Sequence, residues 1–316
     1  MSLPACSEEE FLDLFIKWGA TRTAKTLGIS ERAVYQRRRN MESKLGVRLN
    51  PSSTPARTVN NPEYPQRANY ELDSGVILVA SDAHYWPGIV STAHKAFVKA
   101  CEVLKPQIVV MNGDAFDGST ISRHPPIGWE SSPSVIEELN ACKDRLGEIQ
   151  AAAKNSILVW TLGNHDARFE TKLATVGSEY RGVHGMHLQD HFPEWRPAWA
   201  CWVNDDVVIK HRYKGGVHAT HNNAMSSGKS MVTGHLHSLK VTPYDDYNGC
   251  RWGVDTGTLA DPYGPQFRDY TEDNPRNHRS GFAVLTFSAG RLLPPEVVQV
   301  TGENEVAFRG KFHAVP

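Results

Sequence analysis

The sequence predicts an α/β core joined to a small all-α domain at its N-terminal end, and three observations predict it. From residue 75 onward, short apolar runs alternate with segments of helical spacing. Polar motifs rich in Asp, His and Asn stand where those apolar runs should end. Residues 7–48 read as helices throughout. Alternating strand and helix periodicities predict parallel strands with crossover helices.

Taken in order, residues 8–18 place Phe11, Leu12, Leu14, Phe15 and Trp18 on one stripe. Residues 21–27 form a second short helix that Gly28 breaks, and Ser30 offers an N-cap to a third helix. That third helix turns Ala33, Val34, Met41 and Leu45 inward. Residues 50–70 hold Pro51, Pro55, Pro62 and Pro65, a composition that blocks helix and strand, with Tyr64 and Tyr70 as anchors. The expected domains are therefore 1–49, a linker 50–70, and 71–316. In the last, residues 76–80, 108–111 and 157–162 read as strands, and residues 93–104 and 133–153 as helices. Later strands at 207–209, 230–233, 253–256, 282–287 and 297–300 have fewer helices between them, which suggests a second, mixed sheet packed on the first. Two insertions, 118–132 and 184–202, are rich in His, Pro and Trp (Trp195, Trp199, Trp202), and read equally as satellite cores or as a substrate rim.

Composition narrows the classes of function. A chain of 316 residues with 40% hydrophobic content can bury one large core and a small extra domain. The formal net charge of −1 excludes a polyanion binder by bulk electrostatics, yet eight Lys or Arg face two acids between Arg22 and Arg48. The five cysteines are far apart and show no CxxC spacing, which argues for a reducing compartment and against a thiolate zinc site. No apolar stretch approaches the roughly 20 residues that span a bilayer. The expectation is a soluble cytoplasmic protein without a membrane partner.

The motifs carry the chemistry. Asp82-Ala83-His84 puts two ligand types on one side of an extended segment. Asp114 follows an apolar strand and a glycine, and is the natural bridge between two cations about 3.5–4 Å apart. Asn164 adds a neutral carbonyl, and His235 and His237 form another x-spaced pair. His211 directly follows an apolar strand, although His218 and His221 are close enough in sequence to compete. Mixed nitrogen and oxygen donors suit two divalent ions, with Mn²⁺ expected and Fe²⁺, Ni²⁺ or Zn²⁺ also accommodated.

This series, D-x-H, G-D-x-x-D, G-N-H-D, a later His, then G-H-x-H, resembles the calcineurin-like metallophosphoesterases over residues 75 to about 290. The resemblance implies a four-layer α/β/β/α sandwich with the metals at strand ends. It also implies that Asp82, His84, Asp114 and His237 hold one ion, and Asp114, Asn164, His211 and His235 the other. Hydrolysis by an activated water, without a phosphoenzyme, would follow. His165, beside a ligand but not one in the family pattern, is the candidate general acid or charge-stabilising cation, with Asp166 orienting it. Asp117 is expected beside the bridge, and Arg123, His124 and Arg168 are candidates for phosphate contact.

Residues 23–34 resemble the helix-turn-helix of small phage and bacterial DNA-binding modules, including those of terminase small subunits. This would place Arg32, Gln36, Arg37, Arg38 and Arg39 against phosphates or base edges. A basic helical module can instead dock on the catalytic domain or form an oligomer contact. The combined expectation is a phage-type DNA nuclease working in a bacterial host cytoplasm. The alternative is a phosphatase or phosphodiesterase for small molecules or proteins, with the N-terminal module regulating or assembling it.

Overall fold

In the computed structural model, residues 6–46, 49, 64–124, 128–129, 131–271, 274 and 277–316 are described. The chain separates into two compact units, Met1–Asn61 and Pro62–Pro316. Most of the expected linker, residues 50–63, lies outside the described residues.

The first unit contains α1 (Glu8–Leu27) and α2 (Glu31–Leu45). Ser7 caps α1, and Gly19 interrupts it in a conformation with φ 70°, so the expected pair of short helices is present as one kinked element. Gly28 closes α1 in the left-handed region, and the Ser30 hydroxyl accepts the Ala33 N–H to start α2. Phe11, Phe15, Ala24, Val34, Met41 and Leu49 form the small core of this unit. The expected apolar positions Ala33 and Leu45 are exposed.

The second unit begins with β1 (Ala68–Tyr70) and β2 (Gly75–Ala80), followed by α3 (Thr92–Leu104) and β3 (Ile108–Met111). Then come α4 (Val135–Ala152), β4 (Ile157–Thr161), α5 (Asp166–Val176), β5 (Arg196–Ala198), β6 (Cys201–Val203) and β7 (Val207–Ile209). Next are α6 (Ala219–Ser227), β8 (Ser230–Thr233), β9 (Lys240–Asp246), β10 (Gly249–Asp255) and α7 (Pro265–Thr271). The chain ends with β11 (Gly281–Ser288), β12 (Arg291–Leu292), β13 (Glu296–Gly302), β14 (Glu305–Phe308) and β15 (Lys311–Ala314).

Two sheets face each other. One runs β1-β6-β7-β8-β10-β9, the other β15-β14-β13-β11-β2-β3-β4-β5, with β12 beside β11. Period-two alternation divides each strand between two cores. Ile77, Val79, Val110 and Val159 meet Val207, Ile209 and Val232 of the opposite sheet. Leu78, Ala80, Val109 and Met111 point the other way, onto Phe97 of α3 and Leu139 and Leu146 of α4. Helix α6 packs against β8, β9 and β10. The layering is therefore helix, sheet, sheet, helix. Among the described residues, no helix is long and apolar enough to cross a membrane, and all five cysteines are unpaired.

Two expectations need correction, and a third is divided. Residues 282–287 and 297–300 do not join the second sheet; β11 pairs antiparallel to β2 (Ala283 opposite Val79) and β13 follows on β11. The whole of β11 from Gly281 to Phe287 is buried, apart from a half-buried Thr286, which suits a central strand better than a sheet edge. Residues 68–70, placed in the linker, form a parallel pair with β6 (Ala68 opposite Cys201), because the last linker proline is Pro65 and the backbone beyond it keeps its N–H donors. The insertion 184–202 is divided in role: Trp195 is buried in the helical-side core, while Trp199 is 45% exposed.

Candidate metal centre

Parallel pairing brings the motifs together. With Val79 opposite Val110 and Val110 opposite Val159, the loops after β2, β3 and β4 leave the same end of one sheet. In the other sheet Ile209 lies opposite Val232, so His211 and Gly234 also leave together. Backbone bonds tie these loops: Asp82 N–H to Gly113 O and His84 N–H to Asp114 O, both 2.9 Å, and Gly234 N–H to His211 O, 2.9 Å.

The side chains converge in three clusters: Asp82, His84 and His237; Asp114, His211 and His235; and His84, Asp117 and His165. Within each, the ligand atoms lie within 4.8 Å of one another. Asp82, His84, Asp114, His211 and His237 are buried, whereas His235 is exposed. His237 Nε2 is 3.0 Å from Asp82 Oδ1, and His211 Nε2 is 3.0 Å from Asp114 Oδ2 and 3.9 Å from Asp82 Oδ1. The two groups thus touch through the carboxylates. His218 and His221, the competitors of His211, lie outside these clusters; His221 instead packs its ring on Tyr244.

The backbone is bent to achieve this. Asp82, His84, Asp114, His235 and His237 all have positive φ, between 39° and 70°. Such conformations cost of order 1 kcal/mol or more each and collect at functional sites. The motif glycines answer the same crowding. A Cβ on Gly163 would stand 2.0 Å from Asp114 Oδ1, and one on Gly113 2.3 Å from His211 Nδ1.

The donors fit divalent cations. His84 Nδ1 bonds Asp117 Oδ1 at 2.7 Å, and His211 Nδ1–H donates to Asn112 O at 2.8 Å. Each imidazole is thereby turned with Nε2 into the centre, His211 Nε2 against the Asp114 carboxylate, the orientation of a metal-binding histidine. The Nε2 atom of His84 and Oδ1 of Asn164 are buried and have no hydrogen-bond partner in the protein, and His211 Nε2 faces only the Asp114 carboxylate. Buried polar atoms without partners are costly, and a cation on this nitrogen-oxygen donor set would satisfy them.

Charge follows the geometry. Burial would raise the Asp114 carboxyl, but His211 and His165 outweigh it and hold it well below the usual range. Asp82 is likewise brought down to about 2, because His237 and His211 overcome its desolvation. Burial opposes the charging of His211, and the Asp114 and Asp82 carboxylates reverse this and lift it to about 10. His84 goes the other way, its burial exceeding the pull of Asp117. Burial also lowers His165, yet Asp114 and Asp117 more than compensate and leave it above the ordinary histidine value.

The expected pairing of Asp166 with His165 is not what the structure contains. Asp166 is fully buried and accepts N–H groups from Asp114 (2.8 Å), Gly163 (2.8 Å) and Phe116 (3.2 Å), and the Trp160 indole (3.1 Å). It stitches together two loops that carry candidate metal ligands at the start of α5, and burial plus the Asp114 charge lift its pKa to about 6. Asp117 takes the orienting position: its carboxylate and carbonyl both lie 3.0 Å from His165 Nδ1. A carboxylate that reaches into a neighbouring loop leaves no local sequence signal. Arg168 bonds the Asp117 carbonyl at 3.0 Å and places Nη2 3.2 Å from His165 Nε2, so this candidate does border the cluster. Arg123 and His124 are exposed in the loop beyond Ser119–Ile121 and stand outside the clusters. Sequence reading also missed Asp255, which ends β10 and accepts the Ser238 and Gly257 N–H groups at 3.0 Å, fixing the turn after His237.

The profile of the calcineurin-like phosphoesterases matches residues 75–248, more than half of the chain. The chain belongs to this family. Membership brings a two-cation centre and a phosphoester-hydrolysing chemistry, and the Asp/His clusters are its candidate metal-binding residues. Among solved structures, the phosphoesterase is similar to zinc-complexed Vps29 of Entamoeba histolytica, with 13% identity, 76% of this chain and 99% of that one covered, and a TM-score of 0.37. It is also similar to a protein serine/threonine phosphatase of Saccharomyces cerevisiae, with 11% identity, coverage of 77% and 86%, and a TM-score of 0.36. A dimetal phosphatase of Danio rerio aligns at 12% identity, with coverage of 76% and 98% and a TM-score of 0.35. No curated protein matches the chain.

Proposed function

We propose that this phosphoesterase hydrolyses phosphodiester bonds of DNA, with its first unit holding the nucleic acid. The observation that carries the choice of substrate is the outer face of α2. Arg32, Tyr35, Gln36 and Arg39 are all exposed there, at positions i, i+3, i+4 and i+7 of one stripe behind the Gly28–Ser30 turn. A helix so decorated suits contact with phosphates and base edges. The stripe is narrower than the sequence implied. Arg37 donates to Cys6 O (2.6 Å) and Ser7 O (3.1 Å) and lies 4.8 Å from the Phe11 ring; Arg38 pairs with Glu42 at 2.9 Å. Arg37 ties α2 to the start of α1 and Arg38 is paired along α2, and both are withdrawn from the proposed DNA face. That withdrawal favours the competing reading, a phosphatase or diesterase for small or protein substrates with a regulatory first unit.

At the centre, Asp82, His84 and His237 would hold one cation and Asn164, His211 and His235 the other, with Asp114 shared. Bound divalent ions, Mn²⁺ in this proposal, neutralise phosphoryl charge and activate water. The chain does the rest. Asp117 fixes the rings of His84 and His165, and Asp166 locks the loops that carry Asp114 and Asn164. His165, favoured in its protonated form, presents Nε2 at 4.0 Å from Asp114 Oδ2, where it can pass a proton to the leaving oxygen. Arg168 adds a fixed cation beside it.

Protein stripped of metal, reloaded with Mn²⁺ and incubated with labelled linear and circular DNA, single- and double-stranded, tests the reading. Cleavage that vanishes in Asp114→Asn and weakens in Arg32→Ala/Arg39→Ala supports it. Hydrolysis of bis-p-nitrophenyl phosphate without DNA cleavage would retain the chemistry and overturn the substrate.

A further inference from the structure

We infer that the loop following His211 is a binding platform for an unpaired nucleic acid strand, with Tyr213 as its stacking surface. The choice of a nucleic acid strand rests on the function proposed above. The loop runs Lys210-His211-Arg212-Tyr213-Lys214-Gly215-Gly216-Val217, so the segment leaves a metal-binding histidine directly.

Charge is the first argument. The whole chain carries a net charge of −1, yet residues 207–244 contain no acid at all, while Lys210, Arg212, Lys214, Lys229 and Lys240 lie within them. The loop's own cations, Lys210, Arg212 and Lys214, can meet phosphates that the near-neutral chain as a whole would not attract.

The second argument is the exposed aromatic ring. Tyr213 is 46% exposed, next to a centre whose other rings are packed on one another. The ammonium groups of Lys210 and Lys214 lie 5.5 and 5.7 Å from its centroid. An exposed ring flanked by cations is the combination that binds single strands: a base stacks on the ring and the neighbouring phosphates meet the charges. A duplex offers no free base face, which favours an unpaired strand.

Anchorage is the third. The Lys214 N–H donates to Oδ1 of Asn223 at 3.0 Å, and Asn223 is fully buried in α6. Lys240 Nζ reaches the Val217 carbonyl at 3.3 Å from β9. The loop is thus held just after Tyr213 and at its far end, while the Tyr213 ring is 46% exposed.

Fluorescence anisotropy of a labelled single-stranded oligonucleotide, titrated with the full chain in EDTA to prevent cleavage, tests the platform. An Arg32→Ala/Arg39→Ala background removes the stripe on α2 from the comparison. Tyr213→Ala should weaken binding about tenfold or more, the range that loss of one base stack produces, and Tyr213→Phe should bind like the parent. Lys210→Ala/Lys214→Ala should lower the slope of log affinity against log salt by about 1.4, for two phosphates. Binding by Tyr213→Ala within twofold of the parent overturns the platform, as does a Phe variant that loses as much as Ala, or a parent that does not bind. A Tyr213-dependent affinity in a protein that cleaves no DNA keeps the platform and removes the nuclease reading. DNA cleavage with binding indifferent to Tyr213 removes the platform alone.

Discussion

The metal centre and helix α2 both concentrate charged and polar groups, but the two regions dispose of them in opposite ways. At the centre, His84 has one ring nitrogen bonded to Asp117 and the other buried without a hydrogen bond, and Asn164 Oδ1 is likewise buried without one. On α2, Arg37 is bonded within its own unit, while Arg32 and Arg39 are exposed. At the centre, buried donors clustered without hydrogen bonds mark groups whose ligand comes from outside the chain. On α2, a bonded arginine serves the fold, and an exposed one is energetically free to serve a substrate or nothing.

The largest effect expected from this contrast is at Asp114, the carboxylate proposed to be shared by both cations. Asp114→Asn should reduce Mn²⁺-dependent hydrolysis of bis-p-nitrophenyl phosphate by more than the about 10–100-fold typical of residues that merely support a metal ligand. A variant retaining a tenth of the parent rate would break the assignment.

Glu138 sharpens the contrast, because it is a buried charge that the protein itself satisfies. Its carboxylate accepts the Gly118 and Ser119 N–H groups at 2.6 and 3.1 Å, and burial nevertheless lifts its pKa from 4.5 to about 7. A carboxyl raised on folding contributes its full stability below about pH 4.5 and loses it as the pH rises through about 7. The difference corresponds to about 3 kcal/mol. Melting temperatures between pH 5 and 8 should fall more steeply for the parent than for Glu138→Gln; equal slopes would contradict the account.

Asp117 bonds His84 and His165 and stands between the two kinds of group. Asp117→Asn should lower Mn²⁺ affinity or turnover by about 10–100-fold, read from activity titrated with Mn²⁺. Parental affinity and rate together would show that the orienting bonds have no consequence.

The smallest effects lie on α2. Arg37→Ala should cost roughly 1–3 kcal/mol of stability in urea unfolding, because the charge-assisted bonds to Cys6 and Ser7 and the packing on Phe11 disappear together. Arg32→Ala should stay within about 0.5 kcal/mol of the parent while reducing the salt dependence of duplex binding by about 0.9 for each phosphate left without its cation. Equal destabilisation by both substitutions would erase the distinction between packed and exposed arginines.

Much of the site was legible along the chain. Asp82, Asp114, Asn164 and His211 follow short apolar runs that read as buried strands, and His235 and His237 close the series. The strands Ile108–Met111 and Ser230–Thr233 were legible for the same reason, being uninterrupted apolar or small runs bounded by polar motifs. Helices α5 and α6 were not legible. The first starts inside the Gly163-Asn164-His165-Asp166 motif, and the second carries His, Asn and Ser in place of an apolar stripe. The hairpin of β9 and the first half of β10 was hidden by its exposed, polar residues.

Sequence alone determined which residues could ligate metal and where strands end, because burial periodicity and side-chain chemistry are local properties. Tertiary structure alone decided which sheet received β11, which acid orients His165, and which arginines of α2 remain available. Each of those outcomes depends on contacts between residues distant in the chain. Asp166 and Asp117 are both motif carboxylates. Asp166 lies at the start of α5, against the N–H groups of neighbouring loops, and Asp117 lies beside two imidazoles, and this placement gives two like side chains different work.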